Sequence, residues 1–223
     1  MQRLCGFLPL FALLAFGPMR SQAQTSVDAA IGFGTAYSSA SGAGIDGPVS
    51  PNAFGACAVG SGDTLCQATP KLNGLFMNFN GDVMFNRHLG AGAGVSFQPS
   101  KSDYGPLQYR QTFIDGNLIY EPVGGKRWAL HLLGGIGAAR TGFSIAENQC
   151  VGTAVCVNQT LPVGAATHFQ AHAGVGLQLF LTDHLFIQPQ FDYHYVPNFT
   201  DQFGSNSVPM AMISIGYSSG REK

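Results

Sequence analysis

Charge is scarce in this chain. Only 10% of its 223 residues are Asp, Glu, Lys or Arg, against about 25% in an ordinary soluble domain. Beyond residue 23, lysine is confined to Lys71, Lys101, Lys126 and Lys223, none inside a segment of regular alternation. A water-soluble β-sandwich decorates its outer face with Lys and Glu, and this chain lacks the residues to do so. No basic stripe is present either, which argues against nucleic acid as a partner. Helix-period patterning is missing after the first residues, so a helical bundle is excluded. No apolar run reaches the roughly 20 residues that a membrane-spanning helix needs.

The start of the chain reads as a secretory signal peptide. Met1 to Arg3 supplies a short positive end, "GFLPLFALLAFG" (Gly6 to Gly17) an apolar run, and "SQA" (Ser21 to Ala23) small residues before a cut at Gln24. The expected division is signal peptide 1–23, a β domain over 24–219 and a tail at 220–223. Cleavage lowers the basic residues from 11 to 9 against 12 acids, for a net charge of −3. Four cysteines remain: Cys57, Cys66, Cys150 and Cys156. Four allow three pairings. Closeness in sequence favours Cys57 with Cys66 and Cys150 with Cys156, with free thiols or long-range pairing as the alternatives.

What is present is alternation with period two. "HFQAHAGVGLQLFL" (His168 to Leu181) sets Phe169, Ala171, Ala173, Val175, Leu177 and Leu179 against His168, Gln170, His172 and Gln178. A strand carries side chains on alternate faces, so this is a ribbon with one oily and one wet side. Eight such segments follow one another: 27–37, 72–86, 89–97, 107–121, 127–143, 168–181, 185–196 and 208–217. The connections alternate in length. "RH" at Arg87–His88, "PVGGK" at 122–126 and "TDH" at 182–184 are short, whereas 38–71 and 144–165 are long. In an up-and-down arrangement all tight turns fall at one end and all long loops at the other, as in outer-membrane barrels.

Three features send the oily face to lipid rather than to a soluble calyx core. The opposite face carries Gln, Asn, Gly, His and a few Asp. Aromatics cap the oily face at both ends, with Phe85, Tyr120, Trp128 and Tyr217 near the tight turns and Tyr37, Phe97, Tyr193 and Tyr195 near the loops. Arg110 and Arg140 fall in the oily phase, about a hydrocarbon thickness from the turns. They are expected to meet lipopolysaccharide phosphates or to snorkel.

The inward phase collects Asp28, Asp82, Asp115, Glu121, Asp192, His131, His168, His172 and His194, with Asn117 and Gln190 among the amides. An eight-stranded barrel is just wide enough to be filled by side chains. The expected polar network of Asp82, Asp115, Asn117, His131, His172, Gln190, Asp192 and His194 therefore plugs the lumen. Inward Gly residues beside Phe76, Phe113, Phe180 and Phe186 leave a narrow wet path as the alternative. His168, Asp192 and His194 form the nearest approach to a catalytic or metal-ligating set, and a hydrogen-bonded cluster is the plainer reading. No catalytic residue, metal or cofactor is assigned.

The signal peptide, the eight strands, the hairpin "GVGLQLFLTDHLFIQPQFDYHY" (Gly174 to Tyr195) and the closing "MISIGYSS" (Met212 to Ser219) resemble the OmpA-like outer-membrane β-barrel domain family. The resemblance covers roughly residues 25–218. It implies an all-β, eight-stranded, antiparallel up-and-down transmembrane barrel in the outer membrane of a Gram-negative-type bacterium, in contact with lipid and lipopolysaccharide and folded by the barrel assembly machinery. Family members often end on an aromatic, whereas this chain ends "GREK" (Gly220 to Lys223). The implied role is structural or surface-interacting, without enzymatic activity, through long loops at 38–71 and 144–165 stapled by disulfides. A narrow diffusion channel and, behind it, an outer-membrane hydrolase are the alternatives.

Overall fold

Strict alternation leaves each segment one stable solution, a strand whose two faces meet different solvents. In the computed structural model, described for residues 25–39, 43–45, 56–58, 67–68, 70–104, 107–151 and 155–219, these strands close into a barrel. They are β1 (Ser26–Ala36), β2 (Leu75–Met84), β3 (Leu89–Phe97), β4 (Leu107–Gly124), β5 (Trp128–Val151), β6 (Val155–Phe180), β7 (Leu185–Tyr195) and β8 (Ser207–Ser218). Each pairs antiparallel with the next, and β8 pairs with β1, so no edge is left open. The fold is an all-β, up-and-down transmembrane barrel. Segment 1–23 and tail 220–223 lie outside the described residues.

The register fixes the stagger. Ser26 faces Met84, and the ladder runs on through Gly90, Ile119, Leu133, Gly174, Asp192 and Met210 to return to β1 at Ala36. One circuit therefore climbs from Ser26 to Ala36, ten residues along β1. Such a stagger in an eight-stranded barrel tilts the strands by roughly 40° from the axis. Side chains at one height are consequently not register partners, and this decides which inward groups meet.

The short turns are held locally. Asn86 Oδ1 accepts from the N–H of His88 (2.8 Å) and Leu89 (2.9 Å). Thr182 Oγ1 accepts from His184 N (3.3 Å) and Leu185 N (2.9 Å). Both are side-chain mimics of a backbone turn, the reason Asn and Thr recur there.

Two expectations about the long segments are overturned. Residues 144–165 are not a loop. β5 and β6 continue as a ladder as far as Val151 and Val155, while the β4 partner ends with Gln108 opposite Ser144. The hairpin thus projects beyond the barrel as a two-stranded ribbon, with a register shift at Pro162/Gly164. In 38–71, the pieces Ala43–Ile45, Ala56–Ala58 and Gln67–Ala68 form a small sheet. The expected disulfide staples are also corrected: among the described residues there is no disulfide. Cys150 and Cys156 are register partners in the ribbon, and Cys57 faces Gly44 in the small sheet. Backbone hydrogen bonds hold these positions, doing the task assigned to covalent staples. Cys66 lies outside the described residues.

Candidate functional site

The barrel has two surfaces that can act, its interior and its belt. The interior is built from the even phase of some strands and the odd phase of others, and it is stratified. Near the tight turns, Gln178 Nε2 donates to Asp28 Oδ2 (3.1 Å), and His131 Nε2 lies 3.5 Å from Glu121 Oε2. Met84, Ile119 and Leu133 form a small apolar cluster there, and Phe180 packs on Phe186 with ring centroids 5.7 Å apart.

The middle is polar. Gln170 Nε2 donates to Asp115 Oδ1, and Gln190 Nε2 donates to both oxygens of Asp192 (3.0 and 2.8 Å). Gln188 Nε2 donates to Gln190 Oε1 (2.6 Å) and Ser214 Oγ to Asn78 Oδ1 (3.2 Å). The His194 ring stacks between Phe113 (4.9 Å) and His172 (5.1 Å). Glycines on β5 and β6 make this packing feasible. A Cβ on Gly137 would lie 1.8 Å from the Ile114 carbonyl oxygen, and one on Gly174 2.0 Å from Asp192 Oδ1. Asp82, Asp115, His131, His172, Asp192 and His194 of the expected network are buried, and Asn117 and Gln190 are half-buried in the same lumen.

The loop end is apolar, and the sequence reading missed it. Tyr104, Tyr109, Phe143, Phe199 and Phe203 form a fully buried aromatic cluster continuous with Phe76, Phe113, Leu72 and Met210. Tyr104 packs edge-on against Tyr109 (5.7 Å), Phe143 (5.2 Å) and Phe203 (5.9 Å), the geometry that aromatic quadrupoles prefer. Its hydroxyl donates to the Gln202 carbonyl, and burial pushes the phenol up, so it remains a neutral donor. Asn198, at φ 62°, starts the 3-10 turn Phe199–Asp201, which tips Phe199 and Phe203 inward. The available signal was a run of large apolar residues in the inward phase toward the loop end: Phe76, Tyr109, Phe113 and Phe143. Tyr104, Phe199 and Phe203 lie in connections, where alternation says nothing.

The constellation of His168, Asp192 and His194 does not form. His194 has His172 as its register partner, and His168 lies four residues nearer the loop end of β6. His168 Nε2 contacts Gln202 Oε1 (2.6 Å) instead, and Asp192 is taken by Gln190. The barrel's stagger separates them. It brings Asp115 to the two histidines.

The exterior is an apolar belt. Phe33, Leu118, Ile136 and Phe169 are 60%, 71%, 61% and 58% exposed, values that water would penalise. Tyr37, Phe85, Tyr120, Trp128, Tyr193, Tyr195 and Tyr217 are also exposed, with Phe97 half-buried and stacked on Phe79. Arg110 and Arg140 are exposed and diagonal across the β4–β5 ladder, with Arg110 opposite Gly142 and Arg140 opposite Thr112. Arg110 also donates to the Pro99 carbonyl (3.0 Å). Among the described residues no helix is long and apolar enough to cross a membrane.

A family model described as outer membrane protein beta-barrel domain matches residues 8–218. The chain belongs to that family. An outer membrane protein β-barrel domain belongs in the outer membrane, which implies a lipid and lipopolysaccharide environment and folding by the barrel assembly machinery. Among solved structures it is similar to the attachment invasion locus protein Ail of Yersinia pestis, bound to the heparin analogue sucrose octasulfate. The identity is 12% and the TM-score 0.50, covering 87% of this chain and 99% of that one. Neisserial surface protein A is similar at 12% identity and TM-score 0.47, covering 89% and 98%. OprG from Pseudomonas aeruginosa gives 16%, 0.46, 90% and 99%. No curated protein matches the chain.

Proposed function

We propose that this outer-membrane barrel is a sealed, non-catalytic scaffold that works through its outer surface, of the eight-stranded OmpA-like type, after cleavage of residues 1–23. The observation that carries the reading is the closed interior. The aromatic cluster of Tyr104, Tyr109, Phe143, Phe199 and Phe203 fills the loop end with side chains that are almost wholly inaccessible. Below it, carboxylates and amides bond to one another between strands, Gln170 to Asp115 and Gln178 to Asp28. A conducting path needs a continuous wet lining, and an apolar layer of this kind opposes it. The projecting β5–β6 ribbon supplies a platform at the loop end, where binding segments sit in such barrels. The girdle aromatics would anchor the belt, and Arg110 with Arg140 would hold lipopolysaccharide phosphate through charge-assisted hydrogen bonds.

Purified protein in planar lipid bilayers tests the seal. The expected result is no reproducible conductance steps, with steps appearing when Tyr109 and Phe203 are both replaced by Ala. Stable openings of the unaltered protein would overturn the reading in favour of a diffusion channel.

A further inference from the structure

One donor atom from each of Asp115, His172 and His194 lies within 4.8 Å of the other two, at mid-lumen. His172 Nδ1 is 3.4 Å and His194 Nδ1 3.9 Å from the same Asp115 Oδ1, and the side chains are only 3%, 3% and 8% exposed. These separations exceed a good hydrogen bond. Both Nδ1 atoms, and His194 Nε2 as well, lack any hydrogen-bond partner. Unpartnered nitrogens this deeply buried are costly and call for an occupant. The lumen also offers a cation carboxylates and no competing basic side chain. Asp28, Asp82, Asp115, Glu121 and Asp192 are buried, and among the described residues no Lys or Arg is.

We propose that Asp115, His172 and His194 bind a divalent transition-metal ion of the zinc class, a structural cross-link between β4, β6 and β7 inside the barrel. Two imidazoles and a carboxylate suit zinc and its first-row neighbours, not magnesium or calcium. Tetrahedral zinc with bonds near 2.05 Å spaces its donors about 3.3 Å apart. The Asp115–His172 edge, 3.4 Å, already has that length; the Asp115–His194 edge is 3.9 Å and the His172–His194 edge lies within 4.8 Å, so a swing of the His194 ring has both to close. Gln170 Nε2, donating to Asp115 Oδ1, orients the carboxylate in the way that outer partners orient metal ligands. Water can supply the fourth donor. The aromatic seal above denies a substrate access, so the site is structural, and the ion enters as the strands close.

The test refolds the full mature chain from urea into detergent micelles with Co2+ alone, followed by gel filtration and metal analysis. The unaltered protein is expected to retain about one ion per chain with the visible absorption of tetrahedral cobalt. His194→Gln and Asp115→Asn are expected to retain at least about tenfold less. Folded barrel, recognised by its altered gel migration, that carries no ion would overturn the proposal. Equal retention by the variants would do so too. Should neither variant fold, the spectrum of the unaltered protein decides: a tetrahedral band supports the site, and its absence in folded barrel refutes it.

Discussion

Replacing Ile213 by Arg puts a charge at mid-height of the belt. Ile213 is 45% exposed and lies on β8 equidistant from Tyr217 at the turn end and Pro209, the register partner of Tyr193 at the loop end. Its ladder neighbours are Phe33 and Pro189, so no acid is within reach to pair with the guanidinium. If acyl chains solvate this face, Arg at the midplane of a barrel costs about 2–4 kcal/mol, against about 0–1 near an interface. Tyr217→Arg, on the same face and strand, is the interface control. The gap of about 1–4 kcal/mol corresponds to a folding constant lower by roughly 5- to 700-fold when every 1.4 kcal/mol is a factor of ten. The assay is reversible urea unfolding in lipid vesicles, read through the fluorescence of Trp128, the sole tryptophan. Equal costs for the two substitutions would refute the assignment of this face to lipid. So would a gain in solubility without detergent.

Interior and exterior glycines should respond in opposite ways. Gly92→Leu places a Cβ 1.9 Å from Asp82 Oδ1, whereas one on Gly81 meets nothing within 4 Å. The first is expected to lose about 1–3 kcal/mol by overpacking and Gly81→Ala to stay near neutral, in urea titration. Reductant is expected to leave the thermal midpoint unchanged, because a backbone ladder pairs the strands of the ribbon; a fall of several degrees would contradict this. Replacing Arg110 and Arg140 together by Ala should lower the lipopolysaccharide that co-purifies with the barrel, measured by mass spectrometry, without altering its folded migration on gels.

Much of the fold was legible because a period-two pattern admits one reading once both faces are considered. Val27 to Tyr37 and Leu185 to Val196 correspond to strands with bounds only a residue or two different. The fifth and sixth strands came out too short. Past Phe143 and before His168 the ribbon leaves the lipid and its two faces meet the same solvent, so alternation ceases to be required while backbone pairing goes on. The same limit hid that Cys150 and Cys156 sit on paired strands and not in a loop. The aromatic seal escaped because Tyr104 and Phe203 come from different connections, Tyr104 bonding to Gln202 98 residues further on, and no local pattern links them.

By itself the sequence determined which residues look outward and which inward, since a strand's handed pleat assigns faces residue by residue. The tertiary structure alone decided who meets whom inside. Strand tilt and the climb from Ser26 to Ala36 over one circuit displace every inward group in height relative to its register partner. That displacement carries His168 up to Gln202 and leaves Asp115 beside His172 and His194. A stagger is a property of the closed ring, and no single strand contains it.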